Sequence, residues 1–125
     1  MVRHTHGRLG LLGAALMATA VFVACGGGSS SGGTAPADDP QVPAGAPFID
    51  QSGLSFEPNK LSVKPGEKVY FKNSESSIHT VTINGKNASG NMKRNAVFVW
   101  TAESAGTYKI TCEFHTQMRA TITVQ

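Results

Sequence analysis

Gly106-Thr107-Tyr108-Lys109-Ile110-Thr111-Cys112-Glu113-Phe114-His115-Thr116-Gln117-Met118-Arg119-Ala120-Thr121-Ile122-Thr123-Val124-Gln125 closes the chain. Tyr108, Ile110 and Cys112 alternate with Thr107, Lys109 and Thr111, the period-two pattern of a half-buried strand. Arg119 to Gln125 alternates in the same way. The six residues between them are too few for a helix with an apolar face, so they read as a loop joining two strands. That loop and its entry strand hold three metal-capable side chains within seven residues: Cys112, His115 and Met118.

Upstream, the same period recurs. Leu61-Ser62-Val63-Lys64 alternates, Pro65-Gly66-Glu67 turns the chain, and Lys68-Val69-Tyr70-Phe71-Lys72 alternates again. His79-Thr80-Val81-Thr82-Ile83 is a further run, closed by the hairpin signal Asn84-Gly85. Ala96-Val97-Phe98-Val99-Trp100 is apolar on both faces and reads as a central strand, while residues 88–95 are a loop or a single helical turn. Six or seven short strands without an amphipathic helix predict an all-β domain, an antiparallel Greek-key β-sandwich over residues 48–125. Trp100, Tyr108, Phe71, Phe98 and Met92 are expected in its core.

Composition divides the chain at the same place. Residues 1–47 hold nine of the fourteen Gly and four of the six Pro but one aromatic, Phe22, whereas residues 48–125 hold the other eight aromatics. A 78-residue domain buries only ~60% of its unfolded surface. That excludes a large enzyme with a deep multidomain cleft, and a bound metal would reinforce so small a core. Residues 48–125 carry nine basic and six acidic side chains, scattered along the chain, which gives no footprint for nucleic acid.

The first 47 residues read as an address and a tether. Arg3 and Arg8 precede an uncharged sixteen-residue run, 9–24, too short for the ~20 residues of a comfortable bilayer span. A basic start and an apolar run make an export signal over 1–24. Phe22-Val23-Ala24-Cys25 followed by Gly26-Gly27-Gly28-Ser29-Ser30-Ser31 resembles the lipobox of bacterial lipoproteins, which implies lipidation of Cys25. Residues 25–47 would then be the lipidated Cys and a flexible Gly/Ser/Pro linker, spanning about 25 Å. An ordinary secretory signal or an uncleaved anchor helix, with Cys25 incidental, is the alternative.

With 1–24 removed and Cys25 assigned to lipid, the remaining donors are Cys112, His79, His115, Met92 and Met118. Thiolate, thioether and imidazole together suit copper, and a His₂Cys set with a weak axial Met makes an electron-transfer site. The second imidazole has to come from His79, since no other His remains in the mature chain.

These residues resemble a known family, the type 1 (blue) copper proteins, and within it the cupredoxins of the plastocyanin and amicyanin group. The matching residues span most of 56–125. They are Phe56-x-Pro58, Leu61-x-Val63-x-x-Gly66-Glu67-x-Val69-x-Phe71-x-Asn73, His79-x-Val81, and Gly106-x-Tyr108-x-x-x-Cys112-x-x-His115-x-x-Met118. The two-residue gap between His115 and Met118 matches the short ligand loop of amicyanins. The resemblance implies one type 1 Cu ion with His79, Cys112 and His115 as equatorial ligands and Met118 as the axial one. It implies a monomeric one-electron carrier on the extracytoplasmic side, with transient redox partner proteins and a membrane anchor through Cys25.

Two departures from the family bear on the site. Thr80 stands where Asn is usual, with one donor fewer for tying the ligand loops together. Residues 113, 114, 116 and 117 are Glu, Phe, Thr and Gln, without the family's loop Pro, so Phe114 keeps an N–H able to donate to the Cys112 sulfur. Other functions fit less well. Multicopper enzymes need further His for a second copper, a dinuclear centre needs a second ligand Cys, and a Cys112–His115 nucleophile leaves His79 and Met118 unexplained. A copper-delivery lipoprotein without redox work, or a zinc-loaded structural module, remains as the alternative.

Overall fold

The computed structural model describes residues 41–125; the expected signal segment, Cys25 and most of the expected linker lie outside the described residues. Nine strands and no helix occur among those residues. They are β1 (Phe48–Ser52), β2 (Ser55–Glu57), β3 (Lys60–Val63), β4 (Lys68–Asn73), β5 (Thr82–Ile83), β6 (Lys86–Asn87), β7 (Val97–Thr101), β8 (Gly106–Thr111) and β9 (Arg119–Val124). They form two sheets, ordered β2-β1-β4-β7 and β3-β9-β8-β5-β6. The all-β sandwich is therefore present.

Its strands are mostly antiparallel, but β1 pairs with β4 and β3 with β9 in parallel. The short β2–β3 link explains this, because it carries the chain from one sheet to the other, and strands distant in sequence become neighbours. Two tight hairpins set the register elsewhere. Asn84 and Gly85 both take positive φ (49° and 85°), as the expected turn requires. Gly53 and Leu54 do the same between β1 and β2 (59° and 55°).

The inner faces bury Ile49, Phe56, Val69, Phe71, Val81, Ile110 and Ile122 without measurable exposure. Phe98, Trp100 and Tyr108 are only partly buried against this core. The Tyr108 hydroxyl donates to Ser104 O at 2.8 Å, tying the corner that leads into β8.

Three expectations change. β7 is an edge strand, with Val99 42% exposed, rather than a central one. It is apolar on both faces because residues ahead of β1 pack on its outer side: Val42 is 2% exposed in a second cluster with Phe48, Ala46, Tyr70 and Val97. Packed chain thus begins by Val42, within the stretch read as linker. The run 79–83 is a strand only at Thr82–Ile83. His79 instead makes an isolated bridge with Met92, while the Thr80 and Val81 N–H groups turn to side chains, Cys112 Sγ and Ser89 Oγ.

Candidate metal centre

β4 and β8 deliver the site. β4 ends at Asn73, and the loop that follows carries Glu75 and His79. β8 ends at Thr111, and Cys112 opens the loop that returns as β9. Both loops leave the same end of the sandwich and meet through side chains. His79 Nδ1 lies 3.7 Å from Cys112 Sγ, and His115 Nδ1 lies 3.6 Å from the same sulfur. The two Nδ1 atoms are 3.1 Å apart and the rings tilt at 56°, with centroids separated by 4.8 Å. Cys112 is a free, buried thiol.

This triangle passes a geometric test for a metal ion. With edges of 3.1, 3.6 and 3.7 Å, the point equidistant from the three atoms is about 2.0 Å from each, within the range of metal–imidazole bonds and close to metal–thiolate ones. Three lone-pair-bearing atoms facing one another are stabilised by a shared cation. Met118 is fully buried, and its N–H donates to His115 O at 3.0 Å, which closes the turn between these two residues. The sequence reading brought His79, Cys112 and His115 together, and the structure does so as well. It places Met118 in the core cluster that also contains Cys112.

Two of the donors, His79 and Cys112, are held from behind. His79 Nε2 contacts Glu75 Oε1 at 2.5 Å, so the carboxylate takes that ring N–H and leaves Nδ1 for the metal. The same Oε1 accepts the Leu54 N–H at 3.2 Å. The sulfur of Cys112 receives the Thr80 N–H at 3.4 Å. Among the described residues this is the backbone donor to the sulfur, and the N–H of Phe114 does not take that part. Thr80 also performs the tying role that its short side chain put in question: Oγ1 accepts the Glu113 N–H at 2.9 Å and lies 3.2 Å from Thr82 Oγ1. Asn87 Nδ2 reaches Glu113 Oε2 at 2.8 Å, a second brace on the loop.

Glu75, Leu54 and Ile78 are the site residues that sequence reasoning passed over. The available signal for Glu75 was a carboxylate four residues before His79. Ile78, Leu54 and Phe114 are 42%, 39% and 53% exposed, on three loops at the metal end.

The profile of a family described as "Cupredoxin-like domain" matches residues 30–124. A search of curated proteins gave no match. Among solved structures, amicyanin from Paracoccus versutus (Thiobacillus versutus) is 27% identical with a TM-score of 0.63, over 67% of this chain and 85% of that one. A methionine-to-alanine variant of amicyanin in the Cu(I) form is 30% identical with a TM-score of 0.62, over 68% of this chain and 87% of that one. A second such variant, also in the Cu(I) form, is 31% identical with the same score and the same coverage.

Proposed function

The chain belongs to the cupredoxin-like family, and on that premise we propose that it carries single electrons through His79, Cys112, His115 and Met118, on a domain tethered at a membrane surface. The family and its amicyanin neighbours make it a copper electron-transfer protein with one type 1 copper. The finer assignments are our reading: His79, Cys112 and His115 as equatorial ligands, Met118 as the axial one. The observation that carries the equatorial set is the triangle of Cys112 Sγ and two imidazole Nδ1 atoms; Met118 is assigned by its place on the same loop and its burial.

Bound there, copper supplies the Cu(II)/Cu(I) couple, for which thiolate, imidazole and thioether are suitable donors. The protein's own part is to keep those donors still and dry. His79 and Met118 are fully buried and Cys112 nearly so, which excludes water on three sides. The Glu75, Thr80 and Asn87 bonds fix the donors without help from the ion. His115 is the half-buried member, so its ring edge is the way out for the electron. Leu54, Ile78 and Phe114 would give a small apolar docking rim there, as a brief electron-transfer contact needs. Glu113 and Arg119 add opposite charges beside it for orientation.

A delivery protein would favour an exposed, exchangeable site, and burial of three of the four donors weighs against that alternative. Cupredoxins such as amicyanin are electron carriers rather than enzymes. Export and tethering rest on residues 1–47: a signal over 1–24, lipid on Cys25, then linker. The test of the electron-carrier reading is Cu(II) added to the purified domain. An intense blue colour that ascorbate bleaches and oxidant restores is expected; a colourless or redox-inert product would overturn it. Tethering is tested by labelling cells with an alkyne fatty acid. The wild-type protein should take the label and Cys25→Ala should lose it, and an unlabelled wild type would refute the anchor.

A further inference from the structure

Asn73, the last residue of β4, is fully buried and uses every polar group it has. Nδ2 donates to Ser77 O at 2.7 Å and to Met92 O at 2.9 Å. Oδ1 accepts the Glu75 N–H at 2.9 Å. Its backbone N–H donates to Ala96 O at 3.0 Å, and its carbonyl accepts the Asn95 N–H at 2.7 Å. One side chain therefore joins the loop after β4 to the segment that carries Met92.

The partners of that side chain are also those of His79. Met92 O accepts the His79 N–H at 3.1 Å, and Met92 N–H donates back to His79 O at 2.7 Å. Met92 O is thus shared between Asn73 and His79. Glu75, whose N–H is pinned by Asn73 Oδ1, holds the far nitrogen of the His79 ring. Backbone and ring of His79 are both fixed through groups that Asn73 anchors. An apolar residue of the same size would leave the Ser77 and Glu75 groups without that partner inside the protein.

We propose that Asn73 is the positioning residue of the His79 half of the centre, setting both the backbone and the ring of that ligand before any metal arrives. This rests on His79 being a copper ligand. Asn73 touches neither the ring nor the metal position; it acts through Met92, Glu75 and Ser77. The β4 strand ends in Asn73 because an amide offers two donors and an acceptor at one point. A Ser, Thr or Asp there would lack at least one of them.

The test compares Asn73→Ser with Val124→Ala, a core truncation at the far end of β9. Both variants should lose thermal stability. Only N73S should release Cu(II) faster, by about tenfold or more as for other groups that hold a ligand from behind, and change the ratio of the sulfur-to-copper absorption bands. In the metal-free protein, the Glu75 and His79 amides should exchange with solvent at least about tenfold faster in N73S than in V124A. An N73S protein indistinguishable from V124A in both the bands and the exchange would overturn the proposal. If N73S fails to fold, the metal-free wild type decides: protected Glu75 and His79 amides support preorganisation, and exchange at the rate of an unstructured chain refutes it. A wild type that stays colourless with Cu(II) would overturn the copper reading, whereas the exchange comparison needs no metal and judges Asn73 separately.

Discussion

The two halves of the centre are held by different means. His79 is fully buried, and its supports are inside the protein: Asn73, Met92 and, partly covered, Glu75. His115 is half-buried on a loop whose residues 113, 114, 116 and 117 are exposed. That loop is held by short-range bonds, Met118 N–H to His115 O and Arg119 Nε to Thr116 O, and by two ties to other segments, Thr80 in the loop before β5 and Asn87 in β6. One half is a fixed wall and the other a braced lip. The difference is what an electron carrier needs, because one ligand edge must approach a partner while the remaining donors stay dry. Here the Thr80 and Asn87 side chains brace that loop.

Cys112 is the corner shared by both halves, so its loss should be the largest effect. Cys112→Ser is expected to abolish the blue band and the reversible copper couple while leaving the sandwich folded. Absorption and circular dichroism spectra together check this, and a retained blue band would break the assignment of the sulfur. Next in size is the wall. Glu75→Ala removes the group that orients the His79 ring and should weaken copper binding by about 10–100-fold. Competition against a chelator measures it, and Glu75→Gln should recover part of the loss because its amide oxygen still accepts the ring N–H. An unchanged affinity in E75A would show that burial alone fixes His79.

The sandwich and three of the proposed donors were legible because their signals are local. Period-two alternation predicts β4, β8 and β9, and the Cys-x-x-His-x-x-Met spacing lies on one loop. What stayed hidden was set by neighbours distant in sequence. Nothing in Ala96 to Trp100 says that Val97 packs in the Val42 cluster while Val99 stays exposed, so an edge strand reads as a central one. His79 looks like the start of a strand because Thr80 and Val81 alternate with it. Only the fold shows that their N–H groups serve Cys112 and Ser89. Glu75 and the Thr80–Glu113 tie depend on loops meeting at one end of the sandwich, which spacing alone does not encode.

The tie between wall and lip comes next. Thr80 is fully buried, and Thr80→Val keeps its shape while removing the acceptor for the Glu113 N–H. Leaving that donor unmet should cost about 1–3 kcal/mol, read by urea unfolding of the metal-free protein. A loss below about 0.5 kcal/mol would mean that the two halves are not coupled there. Gln51 gives an opposite case on the inner face of β1, paired in register with Asn73. It is fully buried, and neither side-chain polar atom finds a partner among the described protein groups. Gln51→Leu should therefore raise stability, by about 1 kcal/mol, with the copper spectrum unchanged. A loss of stability would show that the amide matters to the wall as Asn73 does.

The smallest effect is expected on the lip. Asn87 belongs to the short β6 and reaches the exposed Glu113 carboxylate, so solvent competes for both groups. Asn87→Ala should change stability by no more than about 0.5 kcal/mol, as for most surface substitutions. Its effect should appear instead as motion: faster amide exchange at residues 113–116 of the metal-free protein, with His79 unaffected. The Thr80 tie remains in this variant, so the loop keeps its anchor at the Glu113 backbone and loses the side-chain brace, while the Gly90 N–H loses its bond to Asn87 Oδ1. Equal acceleration at His79 and in the loop would mean that wall and lip move as one body, and the contrast between them would fail. Acceleration confined to the loop would identify Asn87 as a brace for the His115 half alone, parallel to Asn73 on the other side.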